Sequence, residues 1–186
     1  MTGNASDEFQ NELARLVPNL RAFARSLSGS ADHADDLVQE TLVKAWNSRA
    51  SFAPGSNLKA WLFTILRNTF LSERRKRKWE LQDVDGEGAA QLSVRGNQLG
   101  HMDLLDFQHA LDGLPPDQKE ALLLIGAEGF SYEEAALMCG CAVGTMKSRV
   151  NRARVRLTEV LGYDSASYEL VDQHVGSSAD ALQPHR

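Results

Sequence analysis

Ser131-Tyr-Glu-Glu-Ala-Ala-Leu-Met-Cys-Gly-Cys-Ala-Val-Gly-Thr-Met-Lys-Ser-Arg-Val-Asn-Arg-Ala-Arg154 is the stretch from which the fold of this chain is read. Ser131 and Glu134 stand three residues apart just before the apolar run Ala135-Ala-Leu-Met138, which is the spacing of a capping box, so a helix begins here. Small Ala136 lets a second helix approach closely, and Gly140, four residues on, permits a left-handed turn. The second helix starts at about Val143 and returns Val143, Met146 and Val150 to the core. This is the pattern of a helix-turn-helix.

A helical wheel at about 100° per residue sorts the second helix. Lys147, Asn151, Ser148 and Arg152 share one side, with Met146, Val150, Ala153 and Leu157 opposite. Arg149 and Arg156 lie on one border and Arg154 on the other. A recognition helix in a major groove needs this layout, with base readers central and phosphate clamps lateral. The candidate set for reading duplex DNA is therefore Thr145, Lys147, Ser148, Arg149, Asn151, Arg152 and Arg154.

Working outward, apolar spacing is helical nearly throughout. Phe9, Leu13, Leu16, Leu20, Phe23 and Leu27 recur every three or four residues, with Pro18 expected to kink the segment or start a new helix. Asp32 is a plausible N-cap for a second helix carrying Leu37, Val38, Thr41, Leu42, Ala45 and Trp46 on one face. A loop at 50–56 precedes a third helix from Asn57 to about Trp79, with Leu58, Leu62, Ile65, Leu66 and Phe70 inward. On that helix Trp61, Thr64 and Asn68 form a stripe of one aromatic and two hydrogen-bonding groups, a surface able to accept unstacked bases. A Trp at helical spacing is as often core, and that alternative stands beside it. Residues 80–106 carry six acids against one Arg and several glycines, the composition of a tether. Helical spacing resumes with Leu104, Leu105, Ala110, Leu111 and Leu114, and again over 117–128 after Pro115-Pro116. The Ser- and acid-rich tail after Tyr163 is expected to be mostly disordered. The fold class is all-α, two small helical domains joined by a flexible acidic linker, the second a helix-turn-helix.

Charge distribution supports a polyanionic partner. The 186-residue chain has a net charge of −5, yet 67–78 and 144–156 each carry +5, which leaves the other 161 residues at −15. Two basic patches on an acidic chain suggest aimed contact with nucleic acid, although two solvated helix faces would also fit the charge alone. No apolar run approaches the roughly 18 residues of a membrane helix, and no secretion signal is visible, so no membrane partner is expected. Cys139 and Cys141 are too close for an easy mutual disulfide and read as reduced structural thiols in a cytoplasm. The five His are scattered and no phosphate loop, nucleophile motif or metal spacing appears. No enzyme activity, metal, cofactor or small-molecule substrate is expected.

Taken together, these residues resemble bacterial RNA polymerase sigma factors of the extracytoplasmic-function class. Asp32-His-Ala-Asp-Asp-Leu-Val-Gln-Glu-Thr-Leu-Val-Lys-Ala-Trp46 is similar to the family's core-polymerase-binding segment. Asn57-Leu-Lys-Ala-Trp-Leu-Phe-Thr-Ile-Leu-Arg-Asn68 is similar to its promoter-melting and −10 segment. Leu114-Pro-Pro-Asp-Gln-Lys-Glu-Ala121 and the helix-turn-helix resemble its −35-binding domain. Ala127-Glu-Gly-Phe-Ser-Tyr132 and Cys139-Gly-Cys-Ala-Val-Gly144 look most like the general-stress, EcfG-type branch.

The resemblance implies a region 2-like domain at 7–80, a linker at 81–104, a region 4-like domain at 105–163 and a tail at 164–186. It implies that Asp35, Asp36, Leu37, Gln39 and Glu40 dock on the β′ clamp coiled-coil of core RNA polymerase, while the second domain meets the β flap and the −35 element. It also implies that Lys59, Trp61, Thr64, Arg67, Asn68, Arg74 and Arg75 serve −10 recognition and melting of promoter DNA. An anti-sigma factor, small and helical, is the expected inhibitor, and stress-response genes are the expected targets. Two other readings remain: a stand-alone helix-turn-helix regulator, or a sigma-like protein that sequesters an anti-sigma factor. The first should carry a ligand or dimerisation domain and the second a receiver domain, and the sequence offers neither.

Overall fold

A computed structural model describes residues 3–53, 55–82 and 102–162. Seven α-helices occur among them: α1 (Gly3–Ser28), α2 (Ala31–Asn47), α3 (Leu58–Gln82), α4 (Met102–Asp112), α5 (Pro116–Leu122), α6 (Tyr132–Cys139) and α7 (Val143–Leu161). A 3-10 turn (Arg49–Ser51) follows α2 and a π turn (Leu123–Ala127) follows α5. No strand occurs among the described residues. The expected tether and tail fall largely on 83–101 and 163–186, outside the described residues.

In the first unit α1, α2 and α3 pack on one another. Leu20, Phe23, Leu37, Leu62, Phe63 and Leu66 are all but sealed from solvent between them. Helix α1 runs through Pro18 without a break. The ring of Pro18 lies exposed while Leu13, Leu20 and Phe23 on the opposite face are buried, so packing on both sides carries the helix across the missing donor. Ser30, not Asp32, caps α2: its side chain accepts from the His33 backbone N–H, and Asp32 sits in the first turn. Asn57 caps α3, its Oδ1 accepting from the Ala60 N–H at 3.1 Å. That helix runs to Gln82, about one turn beyond the expected end.

In the second unit α4, α5 and α6 gather around α7. Pro116 at the first turn of α5 supplies a preset φ where no N–H is needed. The Ser131–Glu134 capping box is complete, with the Ser131 Oγ accepting from the Glu134 N–H and the Glu134 carboxylate accepting from the Ser131 N–H. Gly140 takes φ +62°, the left-handed turn between α6 and α7. Met146, Val150, Ala153 and Leu157 form the buried face of α7.

Candidate nucleic-acid interface

Helix α7 presents its polar stripe outward. Thr145, Lys147, Asn151 and Arg152 are exposed and Ser148 is half-buried, all opposite the buried face. Arg152 Nη2 donates to Ser148 Oγ at 3.2 Å and the Lys147 ammonium lies 5.6 Å from the centre of the Tyr132 ring, so two readers are steadied by neighbours. Arg149 differs from the lateral clamp expected of it. It is half-buried and its Nε pairs with Asp117 at 3.2 Å, tying α7 to α5. Arg154 is half-buried on the opposite border.

Helix α3 divides its candidate residues among three environments. Trp61 is half-buried, its ring 5.2 Å from that of Phe52, so it is largely a packing residue. Thr64 donates to the Ala60 carbonyl at 2.8 Å. Asn68 is exposed and lines a polar groove with Lys44, Asn47, Ser48 and Ser72 between α2 and α3. Arg74 and Arg75 are exposed, Arg74 over the Phe70 ring at 5.8 Å. Lys59 and Arg67 do not join them. They lie with Phe63 at four-residue intervals on a face turned toward the second unit.

The contacts there were not foreseen. Arg67 donates two hydrogen bonds to the Glu120 carboxylate, at 2.7 and 3.2 Å. Lys59 donates to the Glu128 carbonyl at 2.7 Å and pairs with its carboxylate at 3.0 Å. Asn57 donates to Glu134 at 2.8 Å and Asn19 to Glu128 at 3.2 Å. Phe63 meets Phe130 edge-on with ring centres 5.2 Å apart, and Phe23 packs behind Phe63 with its ring tilted and 5.0 Å away. Burial opposes the charge on Arg67, but the Glu120 hydrogen bonds and charge prevail and raise its pKa. The available signal was Lys59, Phe63 and Arg67 spaced four apart, a stripe too mixed for either a core or a solvated face.

On α2, Asp36, Gln39 and Glu40 are exposed. Asp35 pairs with Arg21 at 2.6 Å and Glu40 with Lys44 at 2.6 Å. Leu37 has no exposed surface and belongs to the core, so a docking partner cannot touch it; it holds the acids in place from beneath. Cys139 and Cys141 are unpaired and half-buried. The Cys139 thiol donates to Glu120 at 3.7 Å, and burial first, then Glu120, pushes its pKa up to about 12. Among the described residues no group of three or more His, Cys, Asp or Glu is placed to hold a metal ion.

Comparison with known proteins gives this arrangement a family. Residues 13–80 match the family described as Sigma-70 region 2, and 104–157 that described as Sigma-70, region 4. The chain is 58% identical over 161 residues to the ECF RNA polymerase sigma factor EcfG of Rhodopseudomonas palustris (strain TIE-1), covering 87% of this chain and 89% of that protein. Its fold is similar to that of the sigma factor RpoE in complex with the anti-sigma factor NepR from Bartonella quintana. There the TM-score is 0.75 at 58% identity, over 84% of this chain and 98% of that one. CnrH, solved with the cytosolic domain of CnrY, is similar at TM-score 0.62 and 28% identity, over 86% and 91% of the two chains.

Proposed function

The chain belongs to the extracytoplasmic-function sigma factors, of the EcfG type, and on that premise we propose how its residues divide the work of initiating transcription. It is an alternative sigma factor: it binds core RNA polymerase, directs it to specific promoters, and is under anti-sigma control. A general stress response fits the EcfG type. The finer assignments rest on geometry. Lys147, Ser148, Asn151 and Arg152 read the −35 element in the major groove, with Arg154 toward the phosphates. The groove beside Asn68 receives an unstacked base of the −10 element, and Arg74 and Arg75 follow its phosphates. Asp36, Gln39 and Glu40 dock on the β′ clamp coiled-coil, and the second unit on the β flap.

The proposed division is a region 2-like unit at 7–80 and a region 4-like unit at 105–163, with the acidic segment 81–104 between them. The observation that carries this reading is α7, whose exposed hydrogen-bonding stripe stands directly opposite a closed apolar face. The protein works as a binding factor and not as an enzyme, in the cytoplasm where polymerase and promoters are. No helix among the described residues is long and apolar enough to cross a membrane. The partner that restrains it is an anti-sigma factor, a reading supported by the relatives solved with NepR and CnrY, and we take it to be small, helical and in contact with both units. Mixing the chain with core polymerase and a promoter duplex tests the division of labour. A retarded complex is expected from wild type, and a weakened one from Asp36→Lys with Glu40→Lys. An undiminished complex from that variant would overturn the α2 assignment.

A further inference from the structure

A cleft of about 500 Å³ opens where the end of α1, the middle of α3 and the start of α5 meet. Small-molecule sites span roughly 300–1,000 Å³. Part of its wall is apolar: Leu27 from α1, Phe70 and Leu71 from α3, and Leu114 and Pro116 from the second unit. Five Arg and Lys side chains and three acids also line it. The acids are matched one to one. Glu120 holds Arg67 at 2.7 Å, Asp112 holds Lys119 at 2.7 Å and Asp117 holds Arg149 at 3.2 Å, so these pairs nearly cancel. The surplus is Arg74 and Arg77, both exposed and one turn apart on α3. Arg74 pairs with no acid among the described residues, and its guanidinium lies over the Phe70 ring at 5.8 Å. Arg77 Nη2 stands 3.1 Å from His33 Nε2 and makes only a loose pair with Glu73, at 3.8 Å.

We propose that this cleft binds a nucleoside polyphosphate, with its phosphates on Arg74 and Arg77 and its base against Phe70 and Leu114. Two guanidiniums one turn apart suit neighbouring anionic groups, because the paired donors of Arg match phosphate oxygens. The apolar wall beside them suits a flat body that sheds water on binding. Inorganic polyphosphate would leave that wall unused, and a bare nucleoside would leave the arginines unused. A nucleotide engages both. Because the wall comes from both units, the ligand fits only while they are packed together. Its binding therefore stabilises that packing, and the melting temperature rises with ligand concentration.

The test is isothermal titration of the full chain with ATP and GTP at constant ionic strength, with tripolyphosphate, adenosine and guanosine as the halves of the ligand. At least one nucleotide should bind at one site per chain, about tenfold or more tighter than either of its halves. Arg74→Ala with Arg77→Ala should weaken that binding by about tenfold or more. The control is Arg75→Ala with Lys78→Ala, which removes the same charge from exposed positions of the same helix outside the cleft and should leave binding within about twofold of wild type. Asp117→Asn removes an acid from the opposite wall and frees Arg149, so it should tighten binding by about threefold. Absence of nucleotide binding at millimolar concentration overturns the site. Tripolyphosphate binding as tightly as the nucleotides, or an equal loss in the control pair, reveals general attraction to a basic helix and overturns it too. Binding that Asp117→Asn leaves unchanged overturns the part given to the second unit.

Discussion

Replacing Arg152 and Arg149 separately by Ala distinguishes a residue that reads DNA from one that holds the reader. Arg152 is exposed on α7 and donates to the Ser148 hydroxyl at 3.2 Å, a neutral contact that a base edge readily replaces. Its guanidinium is free to make a bidentate contact with a guanine, whose loss costs about 1–3 kcal/mol, or roughly 5- to 150-fold in affinity for the preferred site. Nothing in the core depends on it, so the melting temperature should not move. Arg149 is the converse. Its side chain is 24% exposed and pairs with Asp117, itself 50% exposed, so solvent screens the pair and its loss costs at most about 1 kcal/mol of stability. That variant should bind somewhat more weakly on all sequences, in proportion to a small shift of α7 against α5. Site selection with the reconstituted holoenzyme, followed by thermal melting of each free variant, measures both effects. A −35 profile that Arg152→Ala leaves unchanged and Arg149→Ala alters would refute the assignment of roles along α7.

Four further outcomes follow from the structure. Leu37→Ala should lower stability by about 2–5 kcal/mol in chemical denaturation, since the side chain is fully buried; Asp36→Lys should leave the denaturation midpoint in place and weaken capture of core polymerase. The Glu134 carboxylate is held below its ordinary pKa, first by the Ser131 backbone N–H and then by Asn57, so its contribution is complete above the ordinary carboxylate range and is lost as pH falls through the lowered folded value. Denaturation curves between pH 7 and 3 should therefore show a smaller acid loss for Glu134→Gln than for wild type, and identical slopes would count against the capping-box carboxylate. Cys139, with its pKa near 12, should be about one part in ten thousand thiolate at pH 8, so iodoacetamide should label it far more slowly in the folded than in the unfolded chain.

The helix-turn-helix was legible because its signals are local. A capping box, a glycine at the turn and an apolar face spaced at 3.6 residues each act within one or two helical turns, and Ser131, Gly140 and Met146 stand where those rules put them. The N-terminus of α2 was one position pair out because Ser30 and Asp32 are both good caps and only the packed helix decides between them. Pro18 misled for a similar reason: its effect depends on whether tertiary contacts flank it, and here Leu13 and Leu20 do. Leu37 is named by the family's docking segment, yet an apolar residue inside an acidic run carries no mark that says whether it faces a partner or the core. The contacts of Lys59 and Arg67 were beyond reach altogether. Their partners lie 69 and 53 residues away, and nothing in a single chain's spacing pairs a cation with one particular distant acid.

Run-off transcription with purified core polymerase, on a template carrying −35 and −10 elements taken from a selection with the holoenzyme, tests the central claim most directly. Adding this chain should produce a single transcript starting at one position downstream of the −10 element. Scrambling either element should abolish it, and Arg152→Ala should reduce it only on templates that keep the preferred −35 sequence. Transcripts from core polymerase that are the same with and without the chain, or that ignore both elements, would contradict the account.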